Sequence, residues 1–407
     1  MSKKKRGISM TSAGCFMTLA VLLASGAVAY NWVENSKVVP VSAAVNLELA
    51  EEQEQTSEEP TEEISTEPEI ILTDFKYPVK TENSKEFDIE TEYPPRNLVL
   101  MDADTGEIIA YKANDEKMFP ASLTKVMTLI VTVENTKNFK DTVEMTSEMI
   151  EPLFADDASL AGFPAGDKPT IEEILYGMIL PSGADATVAA AKYVAGSEKA
   201  FVKLMNEKAE QMGLKNTHFM NTSGLHDENH YSTADDMAAI LSYAYNNEIC
   251  RKILSTDEYV IPVNKVREEE IYLQATLFKR MYGDEMPNVL VKGGKTGYTD
   301  EAMHCVEAFA DVKGKTYIGV VCGSTSRWSS TGDLLSLFSV YCADGEPYNE
   351  AVNVHVEDDE GIQEETTEEE SSENTEENNE EESSENTEEN NEEETSENTE
   401  ESESQEN

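Results

Sequence analysis

Charge is distributed so unevenly along this chain that only its middle can build a hydrophobic core. The 407 residues carry a formal net charge of -51. Roughly half of it lies beyond residue 355, where neither Lys nor Arg occurs, and much of the rest falls between about residues 47 and 92. Segments this acidic and this poor in apolar side chains bury too little surface to offset the entropy of ordering. The stretch Ser371–Glu382, SSENTEENNEEE, returns at Ser383–Glu394, a period of about twelve with nothing apolar to pack. Residues 346–407 are therefore expected to be a disordered acidic repeat tail, and residues 33–94 an acidic low-complexity linker. Residues 95–345 are far closer to neutral and long enough for one large domain. No basic surface is foreseen, so nucleic acid is excluded as a partner.

Lys3, Lys4, Lys5 and Arg6 precede an uncharged stretch centred on Phe16, Met17, Leu19, Val21, Leu22 and Leu23. That order is a secretory n-region and h-region, with Ala27, Val28 and Ala29 as a small-x-small cleavage site. Residues 1–32 thus form a signal peptide or, if uncleaved, an N-terminal membrane anchor. Both outcomes place the domain outside the cytoplasm, secreted or wall-associated, with any membrane attachment made through this segment only.

Within the domain, Leu98–Leu100 and Ile108–Tyr111 flank a turn containing Gly106 and form a hairpin. Helical signals then run to about residue 255. Thr170 and Glu173 make a capping box before Ile174, Leu175 and Met178; Gly213 stands at a helix C-terminus; Thr233 and Asp236 open another helix. Strands return from about Val289, with a hairpin of Met303–Asp311 and Thr316–Ser324 and a last helix over Leu334–Val340. Strands enclosing a helical middle predict an α+β fold, a helical lobe inserted into a sheet. In that hairpin Cys305 and Cys322 fall opposite each other, as a disulfide or as two small buried hydrophobes.

Three short motifs carry chemistry. Ser122 and Lys125 are three residues apart, a spacing that puts both on one face of a helix. The apolar run of Val126, Met127, Leu129, Ile130, Val131 and Val133 marks that helix as buried. A lysine held in a dry place has a lowered pKa and serves as the base a serine nucleophile needs. Ser2 and Lys5 share the spacing in a charged tail, so the pair alone is weak. Ser182, in Leu180–Asp185, lies at the junction of two helices, where a serine alone reads as a cap. Lys295, Thr296, Gly297 and Tyr298 follow Gly293 and Gly294, which let backbone approach a ligand closely. His226 and His230 superficially match a zinc motif, but Gly224 and the intervening Asp and Asn favour a loop, where i and i+4 share no face.

Ser-x-x-Lys, Ser-Gly-x and Lys-Thr-Gly in this order, with Asn221–Leu225 and Tyr231–Ala234, resemble the serine-type D-Ala-D-Ala carboxypeptidases. These are the low-molecular-weight penicillin-binding proteins, and the resemblance runs from about Pro95 to Cys342. It implies a β-lactamase/transpeptidase-like fold: a mainly antiparallel sheet with packed helices and a helical lobe. It also implies a hydrolase that removes the terminal D-Ala from peptidoglycan pentapeptide stems through an acyl-enzyme, is acylated by β-lactam antibiotics, and needs no metal or cofactor. By resemblance Ser122 is the nucleophile, Lys125 its base and Ser182 a proton relay to the leaving amine. Lys295 attracts the substrate carboxylate and helps keep Lys125 neutral, Thr296 donates a hydrogen bond, and the backbone N–H groups of Ser122 and Tyr298 form the oxyanion hole. Gly297 completes the Lys-Thr-Gly motif. The family usually has Asn where this chain has Ala184; a partner so left unpaired costs about 1–3 kcal/mol. Reduced or retuned activity is the expectation. A β-lactamase-like hydrolase and a catalytically impaired wall-binding or penicillin-binding protein remain the alternatives.

Overall fold

A computed structural model describes residues 73–349, apart from 157 and 285. The signal or anchor segment, residues 33–72 of the expected linker and the tail from residue 350 lie outside the described residues. Among the described residues no helix is long and apolar enough to cross a membrane.

Eight strands are present among these residues: β1 Lys85–Glu86, β2 Asn97–Asp102, β3 Ile108–Lys112, β4 Glu258–Ile261, β5 Ile271–Gln274, β6 Val289–Thr299, β7 Met303–Val312 and β8 Lys315–Ser324. Six form one sheet in the order β1-β3-β2-β8-β7-β6, antiparallel throughout except where β1 joins β3. β4 and β5 make a separate hairpin. The helices are α1 Thr124–Glu134, α2 Ser147–Ala155, α3 Ile171–Ile179, α4 Ala184–Ala195, α5 Glu198–Gln211, α6 Ala234–Asn246, α7 Glu248–Leu254, α8 Thr276–Met281 and α9 Arg327–Cys342. A short 3-10 turn, Ala121–Leu123, leads into α1.

The period-two alternation of strand side chains assigns the two faces of the sheet. Val306, Ala308, Ala310 and Val312 of β7 pack with Leu334, Leu337 and Phe338 of α9. On the other face, Cys305 and Phe309 join Ile318 and Val320 of β8, the apolar side of α6 and the apolar residues of α1 in the larger core. α1 touches α3, α4, α5, α6 and α7, and every residue of it before Glu134 is buried. This is the architecture foreseen, with α1 as the shared wall between sheet and helical lobe.

Local signals behave as their chemistry dictates. Thr170 and Glu173 close a reciprocal capping box on α3, Thr233 accepts from the Asp236 N–H at the start of α6, and Gly213 takes φ +75° after α5. Two boundaries differ from expectation. Residues 73–94 are not a solvated spacer: Phe75 and Phe87 pack on the two cores, the Tyr77 hydroxyl donates to Asp236 at 2.8 Å, and β1 extends the sheet. Their mostly polar composition hid a strap held largely by hydrogen bonds, including Thr73 N–H to the Tyr243 hydroxyl at 3.0 Å. At the other end, the Tyr348 hydroxyl still bonds Asp284, so packing continues past residue 345. The last helix begins at Arg327 because Ser326 and Ser329 cap it reciprocally and the Ser330 hydroxyl bonds back to the Arg327 carbonyl.

Candidate active site

Four segments meet at one cleft. The first is the 3-10 turn and α1, which bring Ser122 and Lys125 together as their spacing predicts: Lys125 Nζ donates to Ser122 Oγ at 2.9 Å. Its second partner is the Ser223 carbonyl, at 2.7 Å. Because α1 is buried nearly all round, desolvation drives Lys125 down to about 7, partly opposed by the carboxylate of Asp185. Burial is the cause; the help expected from Lys295 is not among the influences on Lys125. Repulsion between the two lysines is felt at Lys295, which burial first, then Lys125 and Arg280, push well below the usual lysine range, against the pull of Glu307.

The second segment is the junction between α3 and α4. Ser182 takes φ +66°, a left-handed conformation that costs a non-glycine residue of order 1–3 kcal/mol. The surrounding structure compels it. The Gly183 N–H bonds the Gly177 carbonyl, and the Asp185 carboxylate accepts from the N–H groups of Ala161, Gly162, Phe163 and Ala186. Ser182 is thereby held with its Oγ accepting from Lys295 Nζ at 2.9 Å. No hydrogen bond joins Ser182 directly to Lys125 among the described residues. Ala184 is buried at the start of α4 and offers the cleft only its methyl group.

β6 is the third segment. Lys295 is buried and donates also to the Thr296 carbonyl at 2.8 Å. At Gly297 the strand runs against the turn before α1 so closely that a Cβ would stand 2.9 Å from the Ser122 nitrogen. The Tyr298 ring is half exposed, stacks on His304 and donates its hydroxyl to Asp300.

The fourth is the loop Asn221–Leu225. Asn221 Oδ1 accepts from Gly224 N–H at 2.7 Å, and Gly224 adopts φ +88°, where a Cβ would lie 1.8 Å from the Ala121 carbonyl oxygen. The glycine lets the loop press on the turn and aim the Ser223 carbonyl at Lys125. His230 leaves this loop inward: its Nδ1 accepts from Met220 N–H, so Nε2 donates to Thr124 Oγ1 at 2.8 Å. Burial lowers it to about 4. His226 faces outward, 3.6 Å from Glu301. Among the described residues no three His, Cys, Asp or Glu side chains gather where a metal ion would sit.

A cavity of about 180 Å³ is lined by Ser122, Lys125, Ser182, Thr296, Gly297 and Tyr298. Lys295 stands just behind its wall and reaches it through Ser182. The cavity adjoins a groove of about 940 Å³ that shares Ser223, Leu225, Tyr298 and Thr299 with it. Sequence reasoning missed Arg280, which lines the cavity from α8 with Nη1 lacking a hydrogen-bond partner. Only its place in a Lys-Arg pair on a short helix marks it in the sequence. Cys305 and Cys322 are buried free thiols, and a bulge between His304 and Val306 sets Cys305 across from both Cys322 and Gly323.

This geometry agrees with what the chain is similar to. The peptidase S11 family, described as D-alanyl-D-alanine carboxypeptidase, matches residues 82–326. D-alanyl-D-alanine carboxypeptidase DacF of Bacillus subtilis is 35% identical over 241 residues, covering 58% of this chain and 59% of the relative. The D-alanyl-D-alanine carboxypeptidase of Streptomyces sp. strain K15 is 33% identical over 237 residues, 56% of this chain and 79% of the relative. The solved structure of the Streptomyces K15 DD-transpeptidase superposes with a TM-score of 0.55 at 30% identity, over 61% of this chain and 98% of that one. The chain thus spans about three-fifths of the length of the Bacillus relative. Since the match covers more than half of the chain and every motif residue at the cleft, the chain belongs to the peptidase S11 family of D-alanyl-D-alanine carboxypeptidases.

Proposed function

We propose that this protein is a serine D,D-carboxypeptidase that removes the terminal D-Ala from peptidoglycan stem peptides and is acylated by β-lactams. The observation that carries the reading is the 2.9 Å bond between Ser122 Oγ and a buried Lys125 whose pKa stands at about 7. An amine poised there is neutral in a large fraction of molecules at neutral pH, so it accepts the hydroxyl proton as Ser122 Oγ attacks the carbonyl of the penultimate D-Ala. The developing oxyanion is assigned to the N–H groups of Ser122 and Tyr298, a reading supported by the close approach of β6 to the turn at Gly297. As the C–N bond breaks, the leaving amine takes its proton through Ser182, which Lys295 orients. Thr296 and the unpartnered Nη1 of Arg280 receive the substrate carboxylate, and Lys295, behind the cavity wall, supplies the positive charge that draws it in. Water then cleaves the ester and restores Ser122.

Among the described residues, none of the side chains lining the 180 Å³ cavity is a carboxylate that could activate water for fast deacylation. This favours a carboxypeptidase with a long-lived penicillin adduct over a β-lactamase. We place the domain outside the cytoplasm on the strength of Lys3–Arg6 and the uncharged run that follows. Incubation with an acyl-D-Ala-D-Ala peptide releases free D-alanine, and Ser122→Ala abolishes the release. A folded wild-type protein that releases none overturns the reading.

A further inference from the structure

β7 carries a buried glutamate that the proposed chemistry leaves unused. Glu307 is completely buried, and neither carboxylate oxygen has a hydrogen-bond partner. An orphaned carboxyl in a core costs stability, about 1–3 kcal/mol or more, so its presence calls for a reason. Its neighbours supply one. The register pairs Glu307 with Lys295 on β6 and with Val320 on β8. Directly opposed residues point to the same face with Cβ atoms about 5 Å apart, so Glu307 stands beside the active-site lysine. Along its own strand the flanking residues on that face are Cys305 and Phe309, both buried. The 3-10 turn before α1 packs there without an ionisable group, and α6 turns its acidic residues elsewhere, Asp235 to Asn114 and Asp236 to Tyr77.

Lys295 has the complementary problem. It is as dry as Glu307, it is repelled by Lys125 and Arg280, and it donates hydrogen bonds to Ser182 Oγ and the Thr296 carbonyl. Three cationic groups converging on one cleft would leave Lys295 uncharged unless a negative charge lay within reach. Burial raises Glu307 well above the ordinary carboxyl range while Lys295 pulls it down, and Glu307 in turn is the one influence that raises Lys295. Two such groups titrate as a pair.

We propose that Glu307 is a positioning residue that sets the charge of Lys295, acting as its internal proton donor and counter-ion when an anionic substrate enters the cleft. In the empty site the proton rests on the Glu307 carboxyl and Lys295 is a neutral amine. A substrate carboxylate beside the cleft favours the ammonium; the Glu307 carboxyl gives up its proton and Lys295 Nζ takes one up, the two groups being neighbours across the β6–β7 pairing rather than hydrogen-bonded to each other, so an O–H bond is exchanged for an N–H bond and the pair keeps zero net charge. The cost of a lone buried cation is avoided, and the attraction appears only when there is an anion to attract.

This rests on the proposed carboxypeptidase reading, and wild type assayed alongside separates the two: no D-alanine from wild type overturns that reading and leaves the infrared test below to decide this one. In Glu307→Gln the counter-charge is gone, Lys295 deprotonates at lower pH, and the site holds a carboxylate less well. KM at neutral pH rises about tenfold with kcat changed less than about twofold, and the alkaline limb of kcat/KM moves down by about one pH unit. Glu307→Asp, which keeps the charge, restores most of the wild-type profile. Glu307→Val removes the orphan and matches its Val320 neighbour, so Tm holds or rises while KM rises. A merely structural glutamate gives the opposite: Tm falls and kcat and KM worsen together. Infrared difference spectroscopy reads the pair without turnover: the spectrum of empty wild type minus that of Glu307→Gln contains a protonated buried carboxyl band, and that component is lost when Ser122→Ala is saturated with the uncleaved peptide. Wild-type KM and pH limb in Glu307→Gln, or a carboxyl band unaffected by that substitution, overturns the proposal.

Discussion

The lysine of the Ser-x-x-Lys pair loses its proton readily because its helix is dry and its acceptors are a hydroxyl and a carbonyl rather than a carboxylate. Acylation should therefore rise with pH through about 7 and level off above it, as the neutral amine accumulates. Stopped-flow acylation by a fluorescent penicillin checks this, and Lys125→Met should slow it by about 10²–10⁴-fold with the fold intact. Ala184 is the other residue on which rate depends. Its methyl group lies in the cleft wall at the first residue of α4, so Ala184→Asn supplies an amide to the cleft and should raise peptide turnover about tenfold, one added hydrogen bond to a charged or developing group. The pair itself was legible in the sequence, because an apolar run after Lys125 announces a buried helix. Arg280 was not, since nothing in a short amphipathic stretch says that α8 ends over Ser122 and Ser182.

At the scale of elements, the site depends on how tightly one loop and one strand close on the turn before α1. Gly224→Ala places a Cβ where only 1.8 Å separates it from the Ala121 carbonyl oxygen, at φ +88°. The loop must withdraw, taking the Ser223 carbonyl from Lys125; acylation should fall at least about a hundredfold and stability by roughly 2 kcal/mol or more, read by the same assay and by chemical denaturation. His230, beyond that loop in the chain, ties the Met220 N–H at the loop's start to Thr124. Its folded pKa of about 4 lies below the ordinary 6.5, so the unfolded chain binds the extra proton. The contribution to stability is full above about pH 6.5 and is lost as pH falls toward and through 4, about 3 kcal/mol in all. The difference in stability between wild type and His230→Gln should narrow over that window. Helix caps such as Thr170 with Glu173 were plain in the sequence because a cap is a local bond. The β4–β5 hairpin was not, because its side chains are mostly exposed or half-buried and the alternation that marks a strand is weak there.

For the molecule as a whole, the charge pattern located the domain but set its start too late. Composition alone makes residues 73–94 look like spacer, yet Phe75, Tyr77, β1 and Phe87 tie them to α6, β3 and the core beneath α9. A chain beginning at residue 95 should lose about 3 kcal/mol or more, the burial of two large side chains, whereas one spanning 73–349 should retain wild-type turnover. Thermal unfolding and D-alanine release on the two fragments distinguish these outcomes. The order of the three motifs was legible; their convergence was not, because it depends on a sheet that brings β6 against the turn before α1 across the whole helical lobe that separates them in the chain. Chemistry at Ser122 is the central claim, and intact-mass spectrometry with and without penicillin, followed by peptide mapping, tests it most directly. One penicilloyl mass on the active-site peptide at Ser122, persisting for many minutes and absent from Ser122→Ala, is the predicted result; an unmodified protein, or an adduct that Ser122→Ala still forms, contradicts it.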